Sequence, residues 1–327
     1  MLFRSINGEG RTFKKIQDAE SIGLEEAGIT SDYYAYLAAI RKFANPAEID
    51  INLFATPGID YVNQTSLVNA TIDMIEEERA DSLYVVTTPD KPSGANNDEA
   101  SMYTSKEVVD NLEDTEIDSS YSCTYYPWAK VFDETNKQYI YIPPTKDVVR
   151  NIAMTDNVAY PWFAPAGLNR GTTDITKAHK KLKLSEEDTL YGGRINFIKS
   201  FAKEGQYIWG QKTLMKADED TMLSRIHVRR LVLRLRKLCA IAALKIVFDP
   251  NDPTLQGQIK GAIEGILNAV KDKRGISDGF VRFSSDGTTV SETREITGQI
   301  VFKPYQALEY VNLDFIMTDQ GFSFADL

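Results

Sequence analysis

Residues 49–89 read IDINLFATPGIDYVNQTSLVNATIDMIEEERADSLYVVTTP, and their pattern decides the fold. The segment from Ile49 to Ala55 has the composition of a strand that stops at Pro57-Gly58. A helix is predicted from about Gln64 to Arg79, because apolar residues recur there at helical spacing. The run SLYVVTTP is short, apolar and typical of a strand that is buried on both faces.

The same alternation continues on both sides of this stretch. Ser31-Asp32 is suited to cap a helix through YYAYLAAIRKFAN, and Pro46 ends it. An acidic helix is predicted from about Met102 to Leu112. Alternating helices and strands are typical of an α/β layer with at least part of its sheet parallel. The predicted fold class is therefore α/β, with mixed α and β elements: a layered α/β core and a β-rich C-terminal arm.

Further strands and helices follow this core. The segments SYSCTYYPWAKVFD and QYIYIPP are predicted to form a strand pair, and RINFIKSF with YIWGQKTL a second pair. The segment YPWFAPAGLNRGTT is predicted to be an ordered loop or an extended crossing, since its aromatic side chains need burial. A long basic helix and a second amphipathic helix then precede the strands GFVRF and GQIVFKP.

The composition is that of a globular protein, with 43% hydrophobic and 26% charged residues. A net charge of −10 argues against direct nucleic-acid binding, because phosphate contacts need a basic surface. No apolar run is long enough to span a bilayer, so no membrane insertion is expected. Cys123 and Cys239 lie far apart and fit no metal or redox spacing.

The charge is unevenly distributed along the chain. Residues 73–118 contain fourteen acids and three cations, whereas residues 221–248 contain seven cations and no acid. Two such patches could attract further copies of the chain or a charged partner. The alternative is that both patches are solvated helix faces that never meet.

The basic helix has its apolar residues at helical spacing, which favours a core helix over one that lies on nucleic acid or a membrane. From Leu238 to Phe248 it is apolar almost all round. This end is therefore expected to be buried in the core, with snorkelling cations at the other end.

Residues that could catalyse a reaction or bind a metal ion form no recognisable motif in this sequence. The two histidines, His179 and His227, have no serine or cysteine partner in a nucleophile motif and are interpreted as surface or helix-end residues. Asp249, Asn251 and Asp252 resemble a fragment of a calcium-binding loop but lack the glycine and the distant glutamate of the full motif. No catalytic, cofactor-binding or metal-ligating residue is predicted, and no cofactor. An α/β enzyme with a cryptic carboxylate or nucleotide site remains the alternative.

Several segments, taken in order, resemble the C-terminal half of contractile phage tail sheath proteins of the T-even type. The resemblance covers roughly Asp32 to the end of the chain. The segments that carry it are NPAEIDINLFATPG, SLYVVTTP, YYPWAKVFD, QYIYIPP, YPWFAPAGLNRG, INFIKSF, YIWGQKTL, HVRRL, FDPNDP and ALEYVNLDFIMTDQGFSF.

The resemblance implies a structural protein and not an enzyme. Such subunits stack as six-membered rings in a helical lattice around an inner tail tube, and the lattice contracts to drive the tube through the host envelope. The implied partners are further copies of the chain, the tube protein, and baseplate and tail terminator proteins. The implied location is the virion tail, assembled in the host bacterial cytoplasm. Another tail or baseplate component remains an alternative.

Two sets of site residues follow from the resemblance. In this family, terminal arms donate strands to neighbouring subunits, and the period-2 pattern near the C-terminus fits such a strand. Its candidate residues are Val311, Leu313, Phe315 and Met317. A helix near the C-terminal end contacts the tube through charge, and the best candidate is the helix after Pro253. Its cations are Lys260, Lys271, Lys273 and Arg274, and the basic helix from Arg225 is the second choice.

The expected organisation has three parts. Residues 1–30 form a flexible lead or a truncated N-terminal arm, residues 31–215 the α/β core, and residues 216–327 a helical and β subdomain whose arm spans about 297–327. Full-length T-even-type sheaths are about twice as long. Either this chain is truncated, or residues 1–15 are its N-terminal arm, or another chain supplies that arm.

Overall fold

The computed structural model describes residues 30–91, 101–216, 221–283 and 296–310. The helices are α1 (Thr30–Arg41), α2 (Thr65–Asp73), α3 (Ser105–Asp114), α4 (Thr145–Val158), α5 (Leu184–Gly192), α6 (Ile226–Leu244) and α7 (Pro253–Asp272). The strands are β1 (Leu53–Asp60), β2 (Leu83–Thr87), β3 (Ser122–Tyr126), β4 (Ala129–Asp133), β5 (Gln138–Ile142), β6 (Lys177–Ala178), β7 (Asn196–Phe201), β8 (Gly205–Trp209), β9 (Ile276–Phe283) and β10 (Gly298–Pro304). A π-helical turn, Met74–Arg79, continues α2.

The central sheet has five strands in the order β1-β2-β3-β7-β8. The first four are mutually parallel, and β8 is antiparallel to β7. Parallel neighbours require crossover connections, which α2 supplies between β1 and β2 and α3 supplies between β2 and β3. The predicted α/β fold with a partly parallel sheet is confirmed.

Helices cover both faces of this sheet. Along β2, Tyr84 and Val86 belong to a core that also contains buried residues of α2, α3 and α5. Leu83 and Val85 belong to a second core, with buried residues of α4 and of the first half of α6. All five residues of β2 are buried, as the run SLYVVTTP predicts. Burying one such aliphatic side chain contributes about 2 kcal/mol, so the central strand is a major source of stability.

Two predicted strands begin or end at residues other than those observed. Strand β1 continues through Pro57-Gly58, with an irregular register between Ala55 and Asp60. This is tolerated because β1 is an edge strand, where the missing N–H of proline costs no ladder bond. The segment SYSCTYYPWAKVFD is not one strand. It divides at Pro127 into β3, in the central sheet, and β4, which pairs with β5 and β6 in a separate sheet.

A third core lies beside the sheet and joins α6, α7 and the antiparallel β9–β10 hairpin. Trp162, from the loop YPWFAPAGLNRGTT, is buried in it and donates a hydrogen bond from Nε1 to the Lys273 carbonyl at 3.0 Å. A Cβ at Gly275 would meet Val270 at 2.5 Å and Trp162 at 3.1 Å. The chain can therefore turn from α7 into β9 under this ring only with glycine at this position.

His179 is buried and packs edge-on against Tyr126 and Tyr141. Its Nε2 lies 3.4 Å from the Tyr126 hydroxyl, and its Nδ1 has no hydrogen-bond partner among the described residues. The interpretation of His179 as a surface residue is therefore wrong. Burial lowers its pKa from the usual 6.5 to about 4, so the ring is neutral at physiological pH.

His179 should make the fold acid-labile. Because its folded-state pKa lies below its unfolded value, the unfolded chain binds the extra proton first as the pH falls. The free energy of unfolding keeps this contribution in full above pH 6.5. As the pH falls towards 4, the contribution is lost, by about 3 kcal/mol in total. Urea unfolding of the wild type and of His179→Phe across this range measures the loss. The variant keeps an aromatic ring but cannot titrate, so its free energy of unfolding should fall less steeply, and equal slopes would contradict the assignment.

Candidate assembly surface

Helix α6 lies between the central sheet and the third core, with its basic end buried. Its first ten residues include the buried side chains Ile226, Val228, Arg229, Arg230 and Leu231. Its last turn is exposed, with Leu244 71% accessible. The expectation of a buried apolar end with snorkelling cations at the other end is therefore wrong, since the orientation is reversed.

Each buried cation of α6 meets an acceptor or an aromatic ring from another element. Nη2 of Arg230, which is 5% exposed, donates to Oδ1 of Asp156 in α4 at 2.6 Å. Arg229 donates to the Ser120 hydroxyl, and its guanidinium carbon lies 4.1 Å from the Tyr121 ring centroid. Burial lowers the pKa of Arg229. These partners offset part of the cost of desolvating the guanidinium groups, while Nε of Arg229 and Nη1 of Arg230 are buried without a hydrogen-bond partner among the described residues.

Lys237 connects the basic and the acidic stretches of the sequence within one chain. Its ammonium lies 2.7 Å from an oxygen of Asp50 and 3.3 Å from one of Asp81. The hydrogen bond and the positive charge of Lys237 hold the pKa of Asp50 below its usual value. Asp81 belongs to the acidic stretch and Lys237 to the basic one. The interpretation that the two stretches never meet is therefore wrong at this contact.

The apolar end of α6 and the turn after it form an exposed surface that sequence reasoning missed. Ile241, Leu244, Val247 and Phe248 are exposed, and Phe248 is fully so. The third core includes Cys239 and Ile246 but none of these four side chains. Their continuous apolar run was the available signal, but it was interpreted as burial within the chain.

The four cations proposed on and after α7 do not share one environment. Lys260 and Lys271 are eleven residues apart, or about three turns, which puts them on the same face of the helix. Lys260 lies 3.8 Å from Glu264 and Lys271 3.0 Å from Asp278. Such solvent-exposed pairs are weak, so both cations remain accessible to a partner.

The other two cations lie just beyond the end of α7. The Lys273 ammonium is 4.9 Å from the centroid of the Tyr160 ring. Lys273 and Tyr160 line a groove of about 650 Å³ between α6 and α7, which Ala262, Gly265 and Ala269 keep open. Arg274 is exposed, with a left-handed backbone at φ 61°. Lys273 therefore belongs to the groove, whereas Lys260 and Lys271 belong to the outer face of α7.

The β9–β10 hairpin is the clearest open sheet edge near the C-terminal end. Within the described residues, each of its strands pairs only with the other. Phe280, Ile300 and Val301 are exposed on it. A two-stranded hairpin with free edges is suited to accept a further strand. Val311, Leu313, Phe315 and Met317 lie outside the described residues, so their role as a donated strand remains a prediction.

His227, the second residue of α6, is buried between Gln211 and the Tyr305 carbonyl, and burial lowers its pKa. Its predicted helix-end position is confirmed, but it is not a surface residue. The described residues contain no cluster of three or more histidine, cysteine or acidic side chains that could hold a metal ion. Within the described part of the chain, no helix is long and apolar enough to span a bilayer.

Solved structures with the same fold belong to contractile sheaths. The helical sheath of the anti-feeding prophage in its contracted state superposes with a TM-score of 0.65, at 20% sequence identity, covering 90% of this chain and 76% of that one. The contracted PVC sheath complex of an extracellular contractile injection system gives a TM-score of 0.64 at 19% identity, covering 84% of this chain and 72% of that one. The fold is therefore that of contractile sheath proteins.

The sequence is similar to phage tail sheath proteins in particular, although no family model matches it. It is 29% identical to the tail sheath protein of Vibrio phage KVP40 over 225 residues, which are 67% of this chain and 32% of that protein. It is 23% identical to the tail sheath protein of Enterobacteria phage T4, over 87% of this chain and 44% of that protein. The resemblance to T-even-type tail sheath proteins is thus confirmed, and the chain spans about a third to a half of their length.

Asp156 and Glu309 form long-range ion pairs that the sequence did not reveal. Each is paired with an arginine, Asp156 with Arg230 and Glu309 with Arg225, at sequence separations of 74 and 84 residues. Asp156 lies in no motif, and Glu309 lies in the segment ALEYVNLDFIMTDQGFSF, whose pattern does not mark this acid as paired.

The Arg230–Asp156 pair should stabilise the position of α6 against α4. Asp156→Ala leaves a buried guanidinium without its carboxylate and should lower the free energy of unfolding by about 2 kcal/mol, measured by urea denaturation. Arg234→Ala, one turn further along and exposed, is the matched control and should change it by less than about 0.5 kcal/mol. Equal losses in the two variants would mean that the pair has no special role.

Proposed function

We propose that this chain is a structural subunit of a contractile phage tail sheath, and not an enzyme. In this proposal it polymerises as stacked six-membered rings around an inner tail tube, and contraction of the lattice drives the tube through the host envelope. The observation that carries the proposal is a fold shared with two contracted sheaths over 84% and 90% of the chain, together with sequence similarity to phage tail sheath proteins. Baseplate and tail terminator proteins would be its partners at the two ends. Assembly would take place in the host cytoplasm, and the mature location would be the virion tail.

The β9–β10 hairpin is the proposed acceptor of the strand that links neighbouring copies. Its open edges would supply backbone hydrogen bonds, and the exposed Phe280, Ile300 and Val301 would supply apolar contacts. The donor would be the segment with Val311, Leu313, Phe315 and Met317 on one face. Strand addition of this kind requires no cofactor or nucleotide, because the backbone groups that pair are already present.

The outer face of α7 is the proposed surface for the tube. Lys260 and Lys271 are accessible and lie on the same face of the helix. Arg274 extends this basic surface past the end of the helix, and Lys273 adds charge from the groove side. In a chain of net charge −10, such a local excess of cations favours a partner with an acidic surface.

Strand donation can be tested by adding charge to one face of the proposed strand. Leu313→Asp should prevent formation of tubes or stacked rings, or raise the concentration needed by at least about tenfold, because the new carboxylate would be buried against the neighbouring hairpin. Negative-stain electron microscopy and sedimentation measure assembly. Asn312→Asp adds the same charge to the opposite strand face and should assemble nearly as the wild type does. If both variants assemble equally well, the strand is not donated in this register.

The tube contact can be tested by reversing charge on α7. Lys260→Glu with Lys271→Glu should weaken co-sedimentation with purified inner tube protein by about tenfold at low salt, and added salt should reduce the difference. Lys245→Glu, in the turn after α6, is the control with the same type of charge change. If the α7 variant binds the tube as the wild type does and the Lys245 variant does not, the tube contact lies at the end of α6 and not on α7.

A further inference from the structure

The segment that follows β10 returns to the body of the protein without forming a strand. Residues 305–310 are irregular, and the amide of Tyr305 donates to the Gly275 carbonyl at 3.3 Å. Its apolar side chains cannot hold it in place, since Leu308 is 82% and Tyr310 70% exposed. Apolar burial is therefore not what positions this part of the chain.

A single carboxylate makes most of the polar contacts between this segment and the body. Oε1 of Glu309 accepts from Nε of Arg225 at 2.7 Å and from Nε2 of Gln211 at 2.9 Å. Oε2 accepts from the Tyr191 hydroxyl at 3.2 Å. The three donors come from α5, from the residues after β8, and from the residue that precedes α6. Hydrogen bonds to a charged group are stronger than neutral ones, and the Glu309 side chain is only 17% exposed.

His227 supports Gln211 from the other side and lies beside the start of the segment. Because Gln211 donates its amide nitrogen to Glu309, its Oε1 faces the ring, 2.8 Å from Nδ1 of His227. A neutral imidazole has one N–H, so with the proton on Nδ1 the ring donates to Gln211 and Nε2 makes no hydrogen bond to the Tyr305 carbonyl. The other ring nitrogen lies 3.3 Å from the Tyr305 carbonyl. Among the described residues, Arg225 and Glu309 form the ion pair of this network, and the Lys212 ammonium lies 4.4 Å from the centroid of the Tyr191 ring.

We propose that Glu309 is the anchor that holds residues 305–310 on the body of the protein, and that it is therefore a positioning residue for strand donation. This inference rests on the proposed function. Strand donation needs a defined exit point, because a mobile one would add ordering entropy to every contact between copies. The anchor is also connected to α6, because Arg225 is the residue that precedes this helix. A pull on the donated strand would thus be transmitted to the helix that contacts α4 and the central sheet.

Hydrogen exchange on the full-length single chain tests the anchor before any assembly. In Glu309→Ala, peptides spanning residues 303–310 should exchange about tenfold faster than in the wild type, because hydrogen bonds to a charged group are removed. Glu309→Gln should give a smaller increase, since its amide can still accept from Arg225 and donate to the Tyr191 hydroxyl. Tyr191→Phe removes only one donor and provides a mild variant if the alanine variant does not fold. Leu308→Ala, in the same segment but solvent-exposed, is the control and should exchange as the wild type does.

The assembly of the same variants separates this inference from the proposed function. Folded Glu309→Ala should form fewer or shorter tubes than Leu308→Ala at equal concentration, by electron microscopy. Unchanged exchange at residues 303–310 in Glu309→Ala, or normal assembly despite faster exchange, would overturn the anchor. Failure of the wild type to assemble would count against the proposed function, and the exchange experiment would then decide the anchor by itself.

Discussion

The pairing of the buried cations on α6 is the constraint on which much of this structure depends. A guanidinium or ammonium group taken out of water is costly unless an acceptor meets it. Arg229, Arg230 and Lys237 each find acceptors on a different part of the chain: Ser120 before β3, Asp156 in α4, and Asp50 with Asp81 beside the strands β1 and β2. The helix is thus held in one orientation by directional contacts, whereas apolar packing alone would permit sliding or rotation.

This internal use of charge changes how the surface should be interpreted. The seven cations of residues 221–248 suggested a basic surface, yet Arg225, Arg229, Arg230 and Lys237 are paired within the chain. Arg234, Arg236 and Lys245 remain exposed, and the proposed surface for the tube is the outer face of α7 with its accessible Lys260 and Lys271. The exposed surface at the end of α6 is apolar. A lattice built from this chain would therefore combine electrostatic contacts through α7 with apolar contacts elsewhere, and only the former would be strongly weakened by salt.

The described C-terminal residues combine open strand edges in the β9–β10 hairpin with a segment, residues 305–310, that is held on the body of the protein. The β9–β10 hairpin is held on α7 by apolar packing, while its outer edges stay unpaired within the described residues. The segment after it is held by one carboxylate and the three donors around it. In the proposed strand exchange, the acceptor edges and the residues that precede the donor strand would both be held in place, which reduces the entropy lost when copies join.

The sequence by itself determined the α/β class, because the run of buried β residues in SLYVVTTP and the helical periodicity around it are local patterns. It also determined the elements that carry the sheath resemblance, since these are contiguous segments. Only the tertiary structure decided which end of α6 is buried, that Pro127 separates β3 from β4 into different sheets, and that His179 is enclosed by Tyr126 and Tyr141. The same holds for Asp156 and Glu309, whose partners lie far away in sequence. The physical reason is that periodicity records which face of an element is apolar, whereas the cost of burying a charge depends on acceptors that distant segments bring to it.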